Sequence, residues 1–424
     1  MVRLYTILLM LSSFAVGGLI LMQQSRGPGG LLSGEWGSFL SHAFDRGRLI
    51  DTLKSLPESK ANNPLDKLRE AVGVQALAAN SPPPNLTTNE VVRLERGTTP
   101  LCGRVLAWDD FQLVLLSDRG ELCYVPWSEQ KNLTKTEGPL QALPSAQLQA
   151  ELQTEFGRNF VVRTSAQFVV VQPKTCQRDW ARAMQQFYGN IQTYCSARQI
   201  PMQSPQFPLV AIVMPNRQSM LRYAAEQKDE IGPNFLAYYS LRSNRVLMYD
   251  AEQSKAEQSG GLDLETVFHE AFHQVAFNTR LHKRTAAPPL WVSEGMASAF
   301  ETPGMSDHRR SRTIADRIHP HQQRLFLEYA EERDFADNVS QMVEADSLFQ
   351  TDSTRAYALA WAMAFYWMEH APHTFAQYLH TVNQRAAFTE YGPERRRREF
   401  ESLAQCSIAE FATRIKSYHE RLAR

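Results

Sequence analysis

The segment TVFHEAFHQVAFN at residues 266–278 decides how the rest of the chain is read, because it sets His269, Glu270 and His273 at the spacing His-Glu-x-x-His. Just before it, Asp263 is a suitable N-cap for a helix running to about Asn278, since its short carboxylate can accept from the first unpaired amides. At about 100° per residue, Leu264, Val267, Ala271 and Val275 form one apolar stripe, and His269 and His273 stand about 40° apart on the opposite side. Residues one turn apart are neighbours, so both imidazoles can converge on one zinc ion at about 2.0–2.1 Å. Glu270 then projects beside that ion, where a carboxylate can take a proton from water. Short motifs also arise by coincidence, so the reading turns on whether a third ligand follows.

A catalytic zinc takes three protein ligands and keeps one position open. The stretch PPLWVSEGMASAFE at 288–301 supplies Glu294, 21 residues after His273. Pro288 and Pro289 suit the entry to a helix, where a missing N–H costs least. The intervening TRLHKRTAAPP is long enough to bring that helix back against the first. Ser298 and Glu301 fall on the face of Glu294, and either could orient a zinc-binding histidine by a hydrogen bond. Gly295 and Ala297 are small enough for another element to approach closely.

His269, Glu270, His273 and the W-x-x-E-G-x-A pattern around Glu294 resemble the gluzincin metallopeptidases, the broad group that includes thermolysin and the zinc aminopeptidases. The metzincin pattern does not fit, because Ala276 and Thr279 stand where it needs glycine and histidine. More narrowly, YYSLRSNRVLMYD, FNTRLH and PLWVSEGMASAFETP resemble a family of uncharacterised bacterial proteins with a gluzincin-like peptidase domain, over roughly residues 90 to 420. The resemblance implies a zinc-dependent hydrolase of peptide bonds. His269, His273 and Glu294 would hold the metal, and Glu270 would act as general base on the water.

Such enzymes commonly add an oxyanion donor from a tyrosine or histidine on a later helix. In YALAWAMAFYWMEH that points to Tyr357, with Tyr366, His370 and His373 as weaker candidates. His282 reads as a loop histidine rather than a ligand. A peptide or protein substrate would run along an edge strand, for which the hairpin at 234–250, with its turn at Arg242-Ser243-Asn244, is the local candidate. Tyr238 and Tyr239 either line that groove or belong to the core. The group's usual acidic residue four places after the third ligand is Ser298 here. The competing reading is a zinc-bearing scaffold that has lost turnover. Glu270 argues against it, since a purely structural zinc needs no general base.

The remainder of the chain is consistent with an exported protein of several parts. Its 424 residues carry 45 basic and 45 acidic side chains, so no global field draws it to nucleic acid. Residues 1–25 contain an uncharged apolar run from Leu4 to Met22. At 1.5 Å per residue this run spans about 28 Å, close to the ~30 Å of a bilayer interior. An uncleaved single-pass anchor is expected, with a cleaved signal and a secreted protein as the alternative, and in both cases an extracytoplasmic catalytic domain.

Residues 26–85 read as a tether with short helices, 86–139 as a small antiparallel, barrel-like β-module, and 140–424 as the gluzincin-like domain. That domain begins with strands and helices and turns wholly helical after Leu262, an α+β architecture. Cys176 and Cys195 are expected near opposite ends of one helix, Cys102 and Cys123 on strands separated by a third, and Cys406 on a C-terminal helix. None of these placements favours a disulfide. The basic run ERRRREF at 394–400 reads as a solvated helix face.

Overall fold

The computed structural model describes residues 86–424 apart from 96–99, 109–111, 128, 130–132, 230, 233–234 and 250–263. The apolar run at 4–22, the tether and the Asp263 cap lie outside the described residues. No helix among the described residues is long and apolar enough to cross a membrane.

The β-module consists of β1 (Val91–Leu94), β2 (Leu101–Trp108), β3 (Gln112–Ser117), β4 (Leu122–Pro126) and β5 (Leu133–Thr136). All neighbours are antiparallel, in the order β4-β3-β2-β1-β5. Alternation puts Val92, Leu94, Val105, Leu113, Leu115 and Val125 into one small core. β4 and β5 are the edges, and no pairing between them closes a barrel among the described residues. Strand β5 (LTKT) is mostly exposed and carries no alternating apolar signal. β3 separates Cys102 from Cys123 as expected, and neither is in a disulfide.

The next segment forms a five-stranded mixed sheet and the helices that cover it. In chain order these are α1 (Ser145–Phe156), β6 (Phe160–Thr164), β7 (Phe168–Pro173), α2 (Trp180–Ala197), β8 (Leu209–Met214), α3 (Arg217–Glu226), β9 (Ala237–Ser240) and β10 (Arg245–Tyr249). The strand order is β6-β7-β8-β10-β9, with β7, β8 and β10 parallel and antiparallel strands at both edges. The central strand LVAIVM is buried at every position, as expected of a sheet covered on both faces. Leu209, Ala211 and Val213 point to the α2 side, and Val210, Ile212 and Met214 to the α1 and α3 side. Asp179 caps α2 by accepting from the Arg182 amide at 3.1 Å, so the helix starts after Cys176 rather than at it. Cys176 lies in the preceding loop, and both it and Cys195 are buried and outside any disulfide.

Beyond this sheet the described chain is helical, with α4 (Leu264–Asn278), α5 (Leu290–Glu301), α6 (Pro303–Ser306), α7 (Pro320–Tyr329), α8 (Phe335–Glu344), α9 (Leu348–Thr351), α10 (Ser353–His370), α11 (Pro372–Asn383), α12 (Pro393–Ala404) and α13 (Ile408–Leu422). The architecture is therefore mixed, with an antiparallel module, a mixed sheet and a helical C-terminal half. Helix α4 lies on the sheet, where Gln274 is fully buried and donates to the Val210 and Asn244 carbonyls at 2.9 and 2.7 Å. Helix α10 is central and almost wholly buried. Cys406 lies in the turn between α12 and α13, not on a helix. The basic run forms α12, where Arg395 pairs with Glu399, Arg396 with Asp346 and Arg397 with Glu344.

The β-module docks onto this domain through its β3–β4 turn. The Leu122 amide donates to the Arg242 carbonyl at 2.8 Å, and the Leu143 amide to the Asp118 carbonyl at 2.8 Å. Gly120 has φ +78°, and a Cβ there would lie 2.9 Å from the Phe207 ring, so both conformation and space require glycine.

Candidate metal centre

The helix expected from TVFHEAFHQVAFN forms as α4, with Val267, Ala271 and Val275 buried in the core. Its opposite side carries His269 and His273, which are 6% and 9% exposed and whose Nε2 atoms face each other at 3.1 Å. Helix α5 begins after Pro289 and returns antiparallel-wise through the loop 279–289, delivering Glu294 to the same point. Glu294 Oε2 lies 3.2 Å from His269 Nε2, and Oε1 lies 3.6 Å from His273 Nε2. The three candidate ligands thus offer donor atoms all within 4.8 Å of one another. Three donors held tetrahedrally at ~2.0–2.1 Å from a zinc ion would be about 3.3–3.4 Å apart. The spacing of two imidazole nitrogens and one carboxylate therefore fits a single zinc-sized ion.

Closeness of α5 to its neighbour is set by Gly295. A Cβ at that position would lie 2.1 Å from the Ala360 carbonyl oxygen on α10, so the two helices touch backbone to backbone. The same contact brings Tyr357, one turn into α10, to the site, where its hydroxyl donates to Glu294 Oε2 at 3.2 Å. Tyr366 instead packs among Phe411 and Tyr418, and His373 pairs with Gln377. His370 stacks against Tyr366 and Tyr418. None of the three makes a hydrogen bond or ring contact with the cluster among the described residues: Tyr366 is buried in the core, and His370 and His373 are exposed.

The partner of His269 is Glu301, whose Oε1 accepts from Nδ1 at 2.6 Å. Ser298 Oγ is buried with no hydrogen-bond partner among the described residues, so of the two alternatives only Glu301 orients the ring. Glu301 is held in turn by His319, whose Nε2 donates to Oε2 at 3.2 Å. His319 is itself the N-cap of α7, accepting from the Gln322 amide through Nδ1 at 3.4 Å, which fixes the tautomer that donates from Nε2. The sequence reading missed His319. Its signal was a histidine directly before Pro320, a helix-start pattern.

Glu270 is the remaining member, its Oε2 accepting from the Tyr239 amide on β9 at 2.9 Å. β9 is an edge strand, as the substrate-groove expectation requires. Tyr238 and Tyr239 are core residues, however, with hydroxyls bonded to Asp229 and Asn244. Burial raises the Glu270 carboxyl above its ordinary range, although the two imidazoles oppose this. Burial would also raise Glu301, but the hydrogen bonds from His269 and His319 outweigh it and hold Glu301 low. His282 is in the loop after α4, buried between Phe272 and Phe277, and burial pushes it down to about 3.

Residues 263–389 match a protein family of unknown function, DUF1570. The matched segment runs from the start of α4 past the end of α11 and contains every residue of the cluster. No curated protein matches the chain.

Proposed function

We propose that the chain is a zinc-dependent peptidase of gluzincin type, with His269, His273 and Glu294 as metal ligands and Glu270 as general base. The observation that carries the reading is the convergence of two imidazole nitrogens and a carboxylate within 4.8 Å, with the Glu270 carboxylate near enough to feel the charge of both imidazoles. Zinc held there would supply a Lewis acid for a carbonyl oxygen and a bound water of lowered pKa.

The chain's own residues account for the rest of the chemistry. Glu270 is partly buried, and the pKa raised by that burial brings it nearer neutrality, which suits a group that first takes a proton and then returns it. Its carboxylate is held by the Tyr239 amide, so it does not swing away between the two transfers. The protons balance: Glu270 accepts one from water as oxygen attacks the carbonyl carbon, and delivers it to the amide nitrogen as the C–N bond breaks. Tyr357 brings a hydroxyl to the edge of the cluster, where it can donate to the negative charge developing on the carbonyl oxygen. Edge strand β9 offers main-chain groups beside Glu270 to an extended peptide. With the apolar run at 4–22 as anchor, the site would face the extracytoplasmic side.

Metal analysis of the full chain should find about one zinc per chain, lost on His269→Ala. Glu270→Gln should retain the metal and lose about 10²–10⁴ in cleavage of a peptide library. Equal cleavage by Glu270→Gln and the parent would remove the general-base assignment. Bound zinc with no cleavage by either protein would favour a binding scaffold.

A further inference from the structure

A second site lies at the seam between the β-module and the helical half, beyond the C-terminal end of α4. A cavity of about 650 Å³ opens there, walled by β2 and β4 of the module, the loop 279–285 and α11. Small-molecule sites run from roughly 300 to 1,000 Å³, so the size is suitable. Its lining contains Arg104, Arg280, Lys283 and Arg284 and no aspartate or glutamate among the described residues. Elsewhere in this neutral chain several half-buried arginines meet carboxylates, as Arg198 and Arg317 do at Glu369 and Arg245 does at Glu155, while fully buried Arg385 is held by backbone carbonyls.

The cations in the cavity lack that compensation. Arg104 Nε and Arg284 Nε are buried without a hydrogen-bond partner among the described residues. Arg284 spends its terminal nitrogens on the Gly120 and Leu241 carbonyls, and Lys283 donates to the Arg385 carbonyl at 2.6 Å. Burial first, and then the facing charge of Arg280, lowers the pKa of Arg104. His282, 1% exposed, also borders the cavity, and neither of its ring nitrogens has a partner among the described residues. A buried donor without an acceptor is costly, as at Arg104 Nε and Arg284 Nε. Arg280 is an exposed cation at the same cavity, and the planar guanidinium fork matches carboxylate and phosphate oxygens.

We infer that this cavity is a binding site for a small anion bearing phosphate or carboxylate groups, held by Arg104 and Arg280 with His282 at its base. Leu106, Leu116, Phe207 and Leu379 give the remaining wall an apolar character, so the ligand carries its charge at one end. The site uses no residue of the metal cluster and stands independently of the peptidase reading.

The test is calorimetric titration of the full chain with inorganic phosphate and with succinate, at ionic strength held constant with chloride. Saturable 1:1 binding of at least one anion is expected, and their order of affinity assigns phosphate or carboxylate. Arg104→Gln and Arg280→Gln should each weaken it at least tenfold, while Arg395→Gln on α12 and Glu270→Gln leave it unchanged. Without added anion, Arg104→Gln should melt no lower than the parent, because it removes a charge that has no counter-charge. Absence of saturable binding overturns the site, as does an Arg104→Gln protein that melts lower yet binds the anion as tightly as before.

Discussion

Glu301 holds two imidazoles on one carboxylate, His269 at 2.6 Å and His319 at 3.2 Å, and so fixes a candidate ligand from seven residues beyond Glu294. Removing such a partner of a metal ligand typically costs 10–100-fold in affinity or activity. Glu301→Ala should therefore weaken zinc binding by about that factor, measured by competition with a chromogenic chelator. His319→Ala acts one bond further away and should show the same effect in smaller degree, whereas Ser298→Ala should be close to neutral. Tyr357→Phe removes a donor and little volume. Its kcat on a cleaved peptide should fall by about 10–10³ with a smaller change in KM, and an unchanged kcat would return Tyr357 to a packing role. The candidate ligands and Glu270 were legible in the sequence because His269, Glu270 and His273 lie within little more than one helical turn and Glu294 follows 21 residues after His273 on a helix opened by Pro288 and Pro289. His319 was not, since what places it is the capping of α7 and not any periodicity.

At the scale of elements, the candidate metal cluster depends on how closely α5 can approach α10. Gly295→Ala puts a methyl group where the Ala360 carbonyl sits, and the helices must separate. Overpacking of this kind costs about 1–3 kcal/mol or more, so the urea midpoint should fall. The zinc affinity should fall with it, because Glu294 is the adjacent residue. The sequence indicated close approach at Gly295 but not its partner, which is 65 residues away on another helix. The loop between the ligand helices is similarly held from a distance. Asn383 donates to the Arg280 and Leu281 carbonyls at 3.0 and 3.1 Å, and buried Arg385 donates to the Ala286 carbonyl at 2.6 Å. Nothing in the string TRLHKRTAAPP foretells those anchors.

For the whole molecule, buried histidines set the response to acid. His282 and His419 have folded pKa values depressed to about 3 and about 4, in both cases by burial. Their neutral forms favour folding. That contribution is complete above the ordinary value of 6.5 and is lost as pH falls towards the folded values, by up to about 1.4 kcal/mol per pH unit for each group. His269 and His319 are raised, so their contribution stays constant below 6.5 and changes only above it. Glu294 and Glu301 are lowered and act only below their ordinary value of 4.5. Between roughly 4.5 and 6.5 His282 and His419 are joined by His321, which burial also lowers, and opposed by Glu270, whose raised carboxyl takes up its proton above 4.5 and so gains stability as pH falls. Urea unfolding should show a net loss of stability across that interval as pH falls, and His419→Gln should flatten the slope.

The division into a β-module, a mixed sheet and a helical half was readable from the change of hydrophobic period along the chain. The seam between them was not, because Arg104, Phe207 and Arg284 meet only in three dimensions. That seam has a consequence for dissecting the chain. Arg284 reaches the Gly120 carbonyl in the module and the Leu241 carbonyl in the β9–β10 turn at once, and Phe207 is covered by Gly120. The junction near residue 140 is thus a change of pattern and not a cleavage plane. A fragment starting there should expose Phe207 and precipitate, and a fragment that keeps the module intact must include Leu86, which packs in its core.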